Sequence, residues 1–206
     1  MNKLNILIVG GGMYVSGRGT NTYGTVIPAL LEGRKYGIID KIAIATTNSN
    51  SAIKAKKILQ KISSQMKINK QCEYFPKNGR DKKSYIKAAK IFKPDAIIVS
   101  VPDHLHASIS IPLMKLGLHC LIVKPMASTV REGKLMIKTA KENNIVAQVE
   151  FHKRLDESNL ILRDKIKSNE LGKLLYCVVE YSQQKRIPIN IFKSWSSKSN
   201  VFQYLA

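Results

Sequence analysis

The feature that most constrains this chain is a regular alternation of short apolar runs with helix-length amphipathic stretches from Asn5 to Val149. Asn5–Val9, Lys41–Thr46, Cys72–Phe75, Asp95–Val101, Cys120–Val123 and Ile145–Val149 read as strands. Helical periodicity fills the spaces between them, over Tyr23–Lys35, about 51–64, Asp81–Phe92, His104–Leu116 and Ser128–Asn143. In the last of these Ser128 is expected as the cap, with Glu132 in the first turn. Runs such as Ala96-Ile97-Ile98-Val99 are apolar throughout, as strands buried on both faces are.

Strands that alternate with helices of this length form βαβ units. The expected fold class is therefore α/β, a doubly wound parallel sheet of the Rossmann type over residues 1–149. The pattern changes after Val149. A charged helix over His152–Ser168 leads to an alternating, strand-like stretch over Lys173–Ser182, the start of an α+β domain over residues 150–206.

A core of this kind needs an apolar share like the 44% found here, and the longest apolar runs fall far short of the ~20 residues of a spanning helix. Met1–Val9 runs straight into glycines and reads as a first strand, not a leader. Cys72, Cys120 and Cys177 are odd in number and far apart, the pattern of reduced thiols in a cytoplasmic protein, with no metal-ligand spacing. The charge is unusual: Lys and Arg total 34 against 14 Asp and Glu, a net +20. Such a field attracts polyanions. The lysines of Ala52–Leu59, however, occupy the helix face opposite the apolar residues, and no aromatic residues interleave with them, so a solvated surface is expected and a nucleic-acid partner is not.

The chemistry gathers at the strand ends. Val9 feeds Gly10-Gly11-Gly12, a turn that lets backbone approach a pyrophosphate closely, with Met13 next to it. A ligand-free glycine turn is the competing reading. The third glycine of a G-x-G-x-x-G pattern would fall at Val15, so an insertion through Thr22 is expected before the helix, with Gly17, Gly19 or Gly24 restoring close packing and Arg18 within reach of a phosphate. The second strand ends Thr46-Thr47-Asn48 without the carboxylate that grips a free ribose 2′-hydroxyl. That leans toward NADP over NAD, with Thr47 a cofactor contact; equally, Thr47 or Asn48 serves to cap the next helix. Ser100, Val101, Pro102 and His106 follow the fourth strand, and Lys124-Pro125 follows the fifth, where an open parallel sheet faces its ligand crevice.

Taken in order, the glycine turn, Val101-Pro102-Asp103-His104-Leu105-His106, Gly117–Pro125 and Glu150-Phe151-His152-Lys153-Arg154 resemble the Gfo/Idh/MocA oxidoreductases. The resemblance implies a nicotinamide dinucleotide bound at Gly10, Gly12, Met13, Thr47, Ser100, Val101, Pro102, His106, Lys124 and Pro125. It implies Lys124 as the catalytic lysine, with Val123 where the family's Glu-Lys-Pro motif carries glutamate. It implies His152 and Arg154 near a carbohydrate-like substrate, hydride transfer to or from a sugar, nucleotide-sugar or cyclitol, and a homo-oligomer in full-length members. Family members continue after a segment like Trp195–Ala206 into a large antiparallel sheet with a histidine and an acid facing the lysine, so a truncated chain is the expectation, and a silent dinucleotide-binding remnant the alternative.

Overall fold

The computed structural model describes residues 3–180 together with 182, 185 and 189, in two compact units that meet between Val149 and Glu150. The first unit is built on strands β1 (Leu4–Val9), β2 (Ile39–Ala45), β3 (Glu73–Phe75), β4 (Ala96–Val99), β5 (His119–Val123) and β6 (Ala147–Glu150, its last residue across the boundary). They form one six-stranded sheet in the order β3-β2-β1-β4-β5-β6. The β1–β2, β1–β4, β2–β3 and β4–β5 pairs are parallel.

Side chains alternate across a strand, so each strand feeds two cores. Ile6, Ile8, Ile42, Ile44 and Ile98 point to one face and pack with Val15, Ile27, Leu31 and Leu59. Those partners come from α1 (Met13–Ser16), α2 (Val26–Lys35) and α3 (Ser49–Gln65). Leu7, Val9, Ala43, Ile97, Val99 and Ile122 point to the other face, against Ala88, Leu113, Met114 and Met136. These belong to α4 (Ser84–Phe92), α5 (His106–Met114) and α6 (Val130–Glu142). Both faces are covered, which is why the strands read as unbroken apolar runs. Burial pushes the thiols of Cys72 and Cys120 up to about 12, so both are neutral packing groups.

Two of the differences from expectation have a plain physical cause. The cap of α6 is Thr129 and not Ser128. Thr129 stands three residues before Glu132, the spacing at which hydroxyl and carboxylate exchange hydrogen bonds with each other's backbone N–H; from Ser128 the spacing would be four. Replacing Thr129 by alanine should cost about 1 kcal/mol in chemical denaturation. Ser128→Ala serves as the control with a smaller loss, and the reverse order would overturn the assignment.

The second difference is in the other unit. There His152–Leu155 form a 3-10 turn and Glu157–Lys167 form α7, but the strand expected over Lys173–Ser182 is absent among the described residues, 173–180 and Ser182. A strand exists only when its backbone is paired. Here Leu175, Tyr176, Val178 and Val179 are more than four-fifths exposed, with no partner strand among the described residues. No residue of α7 is buried. Expectations for the segment from Trp195 to Ala206 lie outside the described residues. Among the described residues no helix is long and apolar enough to cross a membrane.

Candidate dinucleotide site

The strand order reverses between β1 and β4, and in open α/β sheets that switch point opens a crevice at the carboxyl ends of the strands. Four loops meet at that edge: Gly10–Gly12 after β1, Thr46–Asn48 after β2, Ser100–Leu105 after β4 and Lys124–Met126 after β5. Gly10 donates its N–H to Ala45 O at 2.8 Å, and Ser100 donates to Val9 O at 2.9 Å. With φ at +119°, Gly10 lies so close to β4 that a Cβ there would fall 1.9 Å from Ser100 O. A Cβ on Gly11 would meet Thr46 Cγ2 at 2.9 Å. Gly12 differs: a Cβ would approach only the Arg18 guanidinium, at 4.0 Å, so its outer side faces open space. Two glycines pack the turn against its neighbours, and the third leaves backbone bare toward the crevice.

Gly12 caps α1 without a side-chain hydrogen bond, so Met13 begins a helical turn directly after the glycines. The buried Ser16 hydroxyl donates back to Gly12 O at 3.2 Å, with Gly11 O at 3.3 Å, and fixes the turn. The inserted stretch therefore follows this first helical turn instead of preceding it. Gly17 ends α1 at φ +70°, and the Thr25 N–H bonds Tyr14 O at 2.7 Å to close the excursion. Close packing falls to Gly17 and Gly24, whose backbones abut; a Cβ on Gly19 would meet nothing within 4 Å.

At the end of β2, Asn48 and not Thr47 caps the next helix, its Oδ1 accepting the Ser51 N–H at 2.9 Å. Thr47 is exposed. This loop is zipped to the one after β3, a contact no local periodicity announces. Asp81 N–H bonds Thr47 O at 3.0 Å, Ser49 N–H bonds Gly79 O at 3.0 Å, and the Ser84 hydroxyl donates to Thr46 O. An antiparallel bridge sets Arg80 against Asn48. Arg18 donates from Nη1 to Ser51 Oγ at 3.3 Å. The Asp81 carboxylate is engaged by Lys87 at 2.7 Å and by the Lys83 N–H at 2.8 Å, which hold it below the usual carboxylate range. The exposed cations Arg18 and Arg80 are thus attached to the loop and helix turn that follow β2.

At the other end of the crevice, Ser100, Val101, Pro102, Lys124 and Pro125 are all half-buried where β4 and β5 end. The side chain of His106 is placed differently from the expected ligand contact. Its ring is fully buried, with Nδ1 2.6 Å from Pro125 O and Nε2 2.9 Å from Val101 O. A ring so enclosed presents no surface to a ligand. His152 and Arg154 belong to the second unit, where His152 Nδ1 lies 3.3 Å from the Glu150 carboxylate and the Arg154 guanidinium is 6.0 Å from the Phe151 ring centre.

A separate groove of about 490 Å³ runs between α6, β5 and the start of β6, lined by Met114, Ile122, Met136, Ile145 and Val149. Its lining is mostly apolar, so the crevice at the strand ends is the better match to a charged dinucleotide.

A parallel sheet of this strand order, with a glycine turn at its switch point and polar groups on the adjoining strand ends, defines a Rossmann-type nucleotide-binding domain. The chain belongs to the Gfo/Idh/MocA oxidoreductase family, whose NAD-binding Rossmann-fold model matches residues 4–151. Levoglucosan dehydrogenase of Pseudarthrobacter phenanthrenivorans is 31% identical over 110 residues, which cover 52% of this chain and 28% of that protein. A protein named glycosyl hydrolase family 109 protein 1, of Akkermansia muciniphila, is 24% identical over 90% of this chain and 35% of its own length. Among solved structures, levoglucosan dehydrogenase in complex with NADH aligns with a TM-score of 0.64 at 21% identity, covering 84% of this chain and 42% of that one. The WlbA dehydrogenase of Bordetella pertussis, in complex with NADH and UDP-GlcNAcA, aligns with a TM-score of 0.58 at 19% identity, covering 84% and 44%. These structural likenesses establish the fold. The matched stretch is less than half the length of each of these relatives.

Proposed function

We propose that the chain is the dinucleotide-binding part of an NAD(P)-dependent oxidoreductase that acts on a hydroxyl or carbonyl carbon of a sugar, nucleotide-sugar or cyclitol. The observation that carries this reading is the convergence of Gly12 backbone, open on its outer side, with Ser100–Pro102 and Lys124–Pro125 along one sheet edge in a chain of this family. When bound, the nicotinamide dinucleotide supplies the hydride acceptor or donor. The protein's part is positioning and charge. Gly10, Gly12 and Met13 present backbone to the pyrophosphate, Ser100, Val101, Pro102 and Pro125 frame the nicotinamide end, and the Lys124 ammonium holds the substrate oxygen. His152 and Arg154 orient the substrate, and residues 150–206 begin the substrate domain. The setting is the cytoplasm, and a homo-oligomer belongs to full-length proteins of this kind.

Fluorescence titration with NADH and NADPH tests the reading, followed by turnover with a panel of sugars and cyclitols. Binding of neither cofactor at millimolar levels would sink it. Release of a sugar without net change in the cofactor would replace dehydrogenation by hydrolysis. A second reading, binding without turnover, is favoured by the second unit, whose helix α7 buries no residue. It expects cofactor binding and no product with any member of the panel.

The cofactor is proposed to be NADP. No carboxylate occurs from Ala45 to Ser51, and Thr47 sits in a loop flanked by Arg18 and Arg80. A 2′-phosphate there gains charge-assisted hydrogen bonds worth roughly 1.5–3 kcal/mol. Arg18→Ala should therefore weaken NADPH by about tenfold or more while moving NADH little. Tighter binding of NADH than NADPH by the unaltered protein would overturn this choice. Relatives in Bacillus subtilis carry names specifying NAD(+) in one case and NADP(+) in another, so kinship leaves the matter to that measurement.

A further inference from the structure

His106 was expected at the ligand surface, yet no ligand reaches it: its ring is 0% exposed. Both ring nitrogens nonetheless lie within hydrogen-bond distance of carbonyl oxygens in two different loops, 2.6 Å from Pro125 O and 2.9 Å from Val101 O. Those two loops follow β4 and β5 and carry every residue proposed for the nicotinamide end. Each contains a proline next to the reactive position, Pro102 after Val101 and Pro125 after Lys124, and proline has no N–H to give. Each loop therefore has one backbone donor fewer, and the His106 ring nitrogens stand against a carbonyl of each. His106 begins α5 and is anchored by that helix from below.

We propose that His106 is the positioning residue of the site: its buried ring donates to Pro125 O and is seated against Val101 O, and so sets where Val101–Pro102 and Lys124 stand relative to each other. The Pro125 carbonyl belongs to the residue after Lys124, so a shift of this bond moves the lysine backbone directly. A neutral imidazole has one N–H and one lone pair, and both partners here are acceptors. The neutral ring can donate to one carbonyl only; the imidazolium donates to both. Burial pushes the ring's pKa below the ordinary histidine value. The two carbonyls and the neighbouring, buried Asp103 pull it up, and His104 opposes them. The shorter contact, to Pro125, is the one assigned to the N–H of the neutral ring.

The role rests on the dinucleotide reading for its consequence but not for its detection. In the cofactor-free protein labelled with nitrogen-15, NMR should show a slowly exchanging imidazole N–H on His106, assigned by its loss in His106→Phe. A rapidly exchanging ring, or one with both nitrogens free of hydrogen bonds, would overturn the tie. Where the wild type binds NADH or NADPH, His106→Phe keeps the ring volume and removes the hydrogen bond to Pro125 O. It should raise the cofactor dissociation constant by roughly tenfold, the loss of about one hydrogen bond to a buried carbonyl. His106→Gln and His106→Asn each restore one donor, and at least one should recover several-fold of that loss, which a purely space-filling role would not allow. A folded His106→Phe with cofactor affinity within twofold of wild type would refute the proposal. Should His106→Phe not fold, the wild-type N–H signature and the glutamine and asparagine variants decide alone. Failure of the wild type to bind either cofactor would sink the dinucleotide reading while the NMR result still judged the tie.

Discussion

Gly10→Ala should unfold the chain at markedly lower temperature, whereas Gly12→Ala, two residues on in the same turn, should leave the melting temperature nearly unchanged and lose the cofactor. The contrast follows from what each Cβ would meet. At Gly10 it would fall 1.9 Å from the backbone oxygen of Ser100, an atom fixed in the β1–β4 pairing and unable to move aside, and φ is +119°. Strained backbone costs of order 1–3 kcal/mol and overpacking a similar amount, so roughly 3 kcal/mol or more is expected. At ~2–4 °C per kcal/mol for a chain of this size, the transition should fall by about 6–12 °C. At Gly12 φ is −80° and the nearest atom to the new methyl is the flexible end of Arg18, 4.0 Å away. The fold loses nothing there, but a methyl group would occupy the space into which a pyrophosphate packs. Thermal melts and NADPH titrations on both variants make the test. Equal stability losses would mean that both glycines serve the fold alone, and Gly12→Ala binding with wild-type affinity would remove the turn from the site.

How much of this was legible in the sequence depends on the range of the interaction. The strands were legible because Ile6, Ile8 and Leu7, Val9 must bury on opposite faces, which writes an unbroken apolar run into adjacent residues. The glycine turn and Lys124 were legible because each directly follows such a run. The cap of α6 was missed by one residue: serine and threonine are adjacent at 128 and 129, and only the distance to Glu132 separates them. The true position of the insertion was missed because four residues, Met13–Ser16, are too few to show helical period. The zipper between the loops after β2 and β3, which brings Arg80 beside Asn48, joins residues 32 apart that no sequence window links. His106 shows the same effect in its chemistry. Its place in the sequence marked it as a ligand contact, but only the 19-residue reach to Pro125 shows that its ring is turned to the loop carbonyls instead. The alternation over Lys173–Ser182 misled because period two records a preference for pairing, and pairing needs a second strand.

Lys124 should prove dispensable for binding the dinucleotide and indispensable for chemistry. It leaves the end of β5 beside the crevice, half-buried, in a chain whose sheet order sets β5 next to β4 and its Ser100–Pro102 loop. Hydride addition to a carbonyl carbon builds negative charge on its oxygen, and in the reverse direction the hydroxyl gives up its proton as hydride leaves, so a fixed ammonium beside that oxygen stabilises the alkoxide-like transition state more than the neutral ground state. Lys124→Met keeps the alkyl stem and removes the charge. Turnover of a sugar or cyclitol should fall by about 10²–10⁴, while the NADPH dissociation constant moves by no more than a few-fold. Lys124→Arg should recover little, because the broad guanidinium fork cannot place a compact charge at one oxygen. In a chain that binds without turning over, the same role is read as a substrate-dependent change in the fluorescence of bound NADPH, present in wild type and lost in Lys124→Met. His106→Phe provides the internal comparison: by releasing the loops on both sides of the crevice it should weaken the cofactor as well as the chemistry, while Lys124→Met strikes the chemistry alone. A Lys124→Met protein with wild-type turnover would place the charge-stabilising group elsewhere and leave this lysine as one more cation on a strongly basic surface.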